Sequence, residues 1–130
     1  MTRALLLRAG DDHGTLTDLD LSSLRAVQAA VGGDIQEVVL ADGSSLVCNE
    51  EGKLLGLPMN PCANRLVGVL NPGLYPDDFL VGDVLVVGPD AEDPGAWGAV
   101  TDALLDACRD RAGVPVVDPG LADRDSRSRD

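Results

Sequence analysis

Asp42-Gly43 falls between two apolar runs, Glu37–Leu40 (EVVL) and Ser45–Cys48 (SLVC), and no other feature restricts the fold as much. Such a dipeptide supplies the φ > 0 positions that a tight turn needs, so these residues predict a β-hairpin. The VV and LV pairs in its two arms predict strands that are buried on part of both faces.

The rest of the chain is read outward from that hairpin. Thr2 to Ala9 is an apolar run with an arginine near each end, which predicts a strand stopped by Gly10-Asp11-Asp12. Asp20 or Ser22 can cap a helix running to about Val31, since Leu21, Leu24, Val27 and Val31 recur at helical spacing and Gly32-Gly33 ends it. From Gly52 to Pro76, repeated Gly and Pro predict loops and short helical turns. Asp83-Val84-Leu85-Val86-Val87, closed by Gly88-Pro89, predicts a central strand. Asp93 as cap and Pro94 at the first helical position predict a last helix with a stripe of Trp97, Val100, Ala103, Leu104 and Ala107, ended at Gly113. The expected fold is therefore a small α+β domain over residues 1–117, with a mostly antiparallel sheet and helices packed on one face. Residues 118–130, nearly free of apolar side chains, are expected to be a disordered polar tail.

Charge narrows the function. Twenty-two acidic against ten basic side chains give a net charge of −12, which repels nucleic-acid phosphates and argues against direct nucleic-acid binding. The segment Leu5–Leu7 ends at Arg8, and no apolar run approaches the ~18 residues that span a bilayer, so a cytoplasmic protein without membrane attachment is expected. Cys48, Cys62 and Cys108 are odd in number and widely spaced, which fits small buried hydrophobes better than disulfides or a zinc site.

No catalytic constellation emerges. His13, between Asp12 and Gly14, reads as a turn histidine with no nucleophile placed beside it, and Asp11 and Asp12 lack the spacing of a calcium loop. Cys48 is followed by Glu50 and Glu51, which oppose thiolate formation. No phosphate-cradling glycine motif occurs, and neither a cofactor nor a metal is expected. What remains is a turn, Asn49-Glu50-Glu51-Gly52-Lys53, with Gly52 expected at φ > 0, followed by Leu57-Pro58 and Asn60. Asn49, Glu50 and Asn60 are candidate polar groups at a pocket mouth, with Lys53 and Arg65 as cations for an anionic ligand.

Several of these segments together carry a resemblance. The VGG helix stop at Val31-Gly32-Gly33, the hairpin arm Ile35–Val39, Cys48–Leu54, Leu57-Pro58, Asn60 and Val81–Gly88 resemble the bacterial and phage family known as domain of unknown function 3846. The resemblance covers about Leu24 to Gly88, leaving the first strand and the last helix outside it. It implies a small accessory protein of actinobacterial chromosomes, plasmids or phages, and it brings no activity. The expected function is a non-enzymatic module that binds another protein, with homo-oligomers left open. A variant has Asp11, Asp12, Asp18 and Asp20 imitate DNA towards a defence protein. The alternative is a small-ligand site between the NEEGK turn and Asn60.

Overall fold

The computed structural model describes residues 1–71, 79–93 and 95–120. The part of the irregular segment at 72–76, the helix-starting role of Pro94 and the tail at 121–130 lie outside the described residues.

The sheet is assembled from β1 (Thr2–Leu7), β2 (Gly14–Leu19), β3 (Ile35–Val39), β4 (Ser45–Asn49), β5 (Val84–Pro89), β6 (Trp97–Gly98) and β7 (Val116–Val117). Its order is β3-β4-β5-β1-β2-β7, with β6 paired to β5 off this path. All pairings are antiparallel except β2 with β7. The predicted hairpin is β3–β4, with Gly43 at φ 89° in its turn, and the predicted central strand is β5, between β4 and β1.

Register explains the core. Val38, Leu46, Val86, Leu5 and Leu16 stand opposite one another across five strands and are all buried, so one apolar row crosses most of the sheet. Because successive side chains point to opposite faces, the neighbouring positions Ala4, Val47, Leu85 and Val87 build a second cluster on the other face.

The α+β class and the mostly antiparallel sheet agree with expectation, while the helices divide between the faces. α1 (Leu24–Val31) buries Val27 and Val31 in the cluster with Val47 and Leu85. α2 (Pro61–Leu70) and α3 (Asp102–Asp106) bury Leu66 and Leu104 in the cluster with Leu5 and Leu46. Two apolar sheet faces each require a cover, and three helices supply both.

Local chemistry accounts for the helix ends. Ser23, rather than Asp20 or Ser22, caps α1 by accepting from the Ala26 N–H at 3.2 Å, and Gly32 ends it in the left-handed region at φ 82°. Asp20 closes the preceding turn instead, accepting from the Ser22 N–H at 3.1 Å. α2 fills a stretch expected to hold only loops and short turns. Asn60 caps it, Pro61 occupies its first turn, and Cys62, Ala63, Leu66 and Val67 form its buried stripe. The last helix begins later than predicted, with Thr101 as cap. Trp97 lies in β6, half-buried against the α1-side cluster, and its Nε1 donates to Glu37 Oε2 at 2.5 Å. α3 then widens into a π-helical turn, Ala107–Arg111, closed by Ala112 N–H to Ala107 O at 2.9 Å. Gly113 follows at φ 67°, as the stop predicted there requires.

Candidate functional site

Four segments converge on a cavity of about 150 Å³ next to the open end of the sheet. Gln36 and Val38 come from β3, Cys48 and Asn49 from β4, Glu50, Gly52, Lys53 and Leu54 from the following turn, and Phe79, Leu80 and Val81 from the approach to β5. Its floor is apolar, because Val38, Cys48, Leu80 and Val81 are buried. Its rim carries Glu50, Lys53 and Gln36. The Lys53 ammonium sits 5.2 Å from the Phe79 ring centroid, within reach of the ring's negative face.

The turn forms for local reasons. Asn49 Oδ1 accepts from the Glu51 N–H at 2.9 Å, and Leu55 N–H to Glu51 O (2.9 Å) and Leu57 N–H to Gly52 O (3.0 Å) coil the chain behind it. Positive φ falls at Gly56 (68°), not at Gly52 as the sequence predicts. Gly52 is needed for closeness: a Cβ there would lie 2.8 Å from Val81 Cγ2 in the cavity wall.

The candidate residues separate into two groups. Asn49, Glu50 and Lys53 meet at the cavity, whereas Asn60 and Arg65 are not in its lining. Asn49 is buried, and its Nδ2 reaches Val31 O at 3.4 Å while Oδ1 holds the turn, so its amide binds the protein's own backbone. Asn60 is fully buried. Its Nδ2 donates to the carbonyls of Leu7 and Gly82, each at 2.8 Å, and its Oδ1 accepts from the Ala63 N–H at 3.1 Å. Asn64 adds to this stitch, donating to Leu80 O at 2.9 Å and accepting from the Leu80 N–H at 2.8 Å. Together the two amides fix the Leu80–Gly82 wall from behind. Arg65 lies beside the β1–β2 turn, with its Nη2 3.6 Å from Cys62 Sγ, and that thiol reaches Asp11 O at 3.5 Å.

The other reactive groups fit structural roles. His13 Nδ1 is 3.0 Å from Asp12 Oδ1 and its Nε2 3.8 Å from Asp11 Oδ2, in an exposed turn ahead of β2. The His13 hydrogen bond holds the Asp12 carboxyl below its usual range. All three cysteines are buried and unpaired with one another. Burial pushes the Cys48 thiol up, and pushes Cys108 up to about 11, the opposite of nucleophile activation. Among the described residues, no cluster of three or more His, Cys, Asp or Glu side chains is arranged to hold a metal ion, and no helix is long and apolar enough to cross a membrane.

Sequence reasoning missed Gln36, Val38, Phe79 and Val81 as lining residues. The apolar character of each was visible for all but Gln36, but nothing local places residues 36, 53 and 79 together.

The chain belongs to the family described as Domain of unknown function (DUF3846), whose model matches residues 1–112. The match takes in the first strand and the last helix, both of which the shared motifs left outside. No curated protein and no solved structure matches the chain.

Proposed function

We propose that this family member is a non-enzymatic interaction module that grips a partner protein at the cavity beside β3, working in the cytoplasm and in the mobile-element setting that the family resemblance implies. The observation that carries this reading is a concentration of exposed apolar side chains around one small cavity. Leu54 is 90% and Phe79 49% exposed, and both line it. Leu55 and Met59, also exposed, lie in the adjoining segment, where Met59 pairs with the wall residue Val81. Large apolar groups held in water around a concave site are characteristic of interaction surfaces. The raised thiols and the amides committed to backbone further favour recognition over catalysis.

The rival reading, a small-ligand site, draws on the same cavity and its rim of Glu50 and Lys53. Native mass spectrometry of the tagged protein isolated from its own host separates the two. A stoichiometric protein companion present with the wild type and absent with Leu54→Glu supports the module. A companion retained by Leu54→Glu refutes the assigned face, and a reproducible small-mass excess in place of a companion supports the ligand site.

A further inference from the structure

β3 is a terminal strand of the sheet formed by the described residues, and its hydrogen bonding can be divided residue by residue. Leu40 N–H donates to Ser44 O at 2.8 Å and Glu50 N–H to Asp34 O at 2.8 Å. With the observed register, backbone groups of an antiparallel strand alternate in direction, so Asp34, Gln36, Val38 and Leu40 turn theirs towards β4. Ile35, Glu37 and Val39 therefore turn their N–H and C=O groups away from β4, to the side on which no strand among the described residues pairs with β3. The side chains alternate as well. Gln36 and Val38 face the cavity, whereas Glu37 faces the α1 side, where Trp97 meets it.

Resting on the interaction reading above, we propose that the occupant of this edge is an extended segment of a partner protein in which apolar and basic residues alternate, added to the sheet as a strand beside β3. Its backbone completes the open groups of Ile35, Glu37 and Val39. Its apolar side chains, on the face of Gln36 and Val38, enter the cavity over Cys48 and Val81. Its basic side chains fall on the face of Glu37. Charge selects this occupant: Asp34, Glu37, Asp42, Glu50 and Glu51 lie on or beside the edge. A second copy of the chain is disfavoured, since antiparallel pairing centred on β3 would set Glu37 against its counterpart and bring together two chains of net charge −12.

The probe is a short acetylated peptide of alternating lysine and leucine, compared with the same peptide N-methylated at alternate amides and with a glutamate-for-lysine version. The expected result is binding of the first peptide alone, with amide exchange slowed at Ile35, Glu37 and Val39 and unchanged at Gln36 and Val38. Val39→Pro removes one outward N–H without touching the β4 pairing, and is expected to weaken binding by more than about tenfold. The N-methylated peptide makes the same test without any variant. Equal binding of the N-methylated peptide, or binding without protection at those three amides, overturns strand addition while leaving the interaction reading intact. Equal binding of the glutamate peptide, or no peptide binding while a host protein still copurifies through Leu54, overturns the basic occupant. A dimer abolished by Val39→Pro overturns it in favour of a second copy.

Discussion

Replacing Asn60 by Ala should unfold the protein's ties rather than empty its cavity. The substitution removes the cap of α2, which costs about 1 kcal/mol. It also leaves the Leu7 and Gly82 carbonyls without their donor in a fully buried position, at about 1–3 kcal/mol each. The sum is roughly 3 to 7 kcal/mol, a large fraction of the ~5–15 kcal/mol that holds a domain together. At about 4 °C per kcal/mol, the midpoint of a thermal melt followed by circular dichroism should fall by more than about 12 °C. Asn60→Asp sharpens the test because it keeps the capping oxygen and removes the donor. At neutral pH its carboxylate faces two carbonyl oxygens, so its pKa in the fold is raised above the unfolded value near ~3.9 and the damage eases as pH falls and the acid can donate. An Asn60→Ala protein melting within about 3 °C of the wild type would refute the reasoning, and would return Asn60 to the list of ligand contacts.

Two further outcomes test the packing and the thiols. A Cβ at Gly88 would collide with the Ala99 carbonyl oxygen, so Gly88→Ala should lower the urea midpoint by the equivalent of at least about 2 kcal/mol; an unchanged midpoint would refute the close approach of β5 to the segment after β6. Burial raises the Cys108 thiol from 9.0 to about 11, so the folded state holds its proton more tightly than the unfolded chain. That contribution is fully present below pH 9 and is lost as pH rises towards 11, up to about 3 kcal/mol. Thermal melts across this window should fall more steeply for the wild type than for Cys108→Ala, and parallel slopes would contradict the assignment.

The elements that were legible in the sequence are those whose signals are local. Asp42-Gly43 announces the β3–β4 hairpin, and the β-branched run at 84–87 announces β5. No local signal marks β2, because GTLTDL buries little besides Leu16 and its strand character comes from pairing with β1 along its whole length. The sequence places the start of the last helix too early because Trp97 and Val100, three apart, imitate a helical stripe, while the ring belongs to the opposite face of the sheet. At the site, the NEEGK turn was visible, since Asn49 makes its bond two residues on. Asn60 before Pro61 reads as a cap, yet its bonds to residues 7 and 82 exist only once the sheet is assembled. Arg65 looked like a cation for the site from sequence distance alone, and the turn of α2 carries it to the Asp11–His13 loop.

The position of β5 between β4 and β1 has a kinetic consequence. The hairpins β1–β2 and β3–β4 each close over short loops, but neither pairs with the other, and β5 is the strand that joins them. Leu5 meets Val86 only after the chain through β5 has left the ribosome, a span that takes several seconds at ~5–20 residues per second. Until then the nascent chain carries two separate hairpins with uncovered apolar rows. Loop-closure entropy must be met before the long-range pairs reward it, so docking of residues 84–89 is the expected slow step of folding.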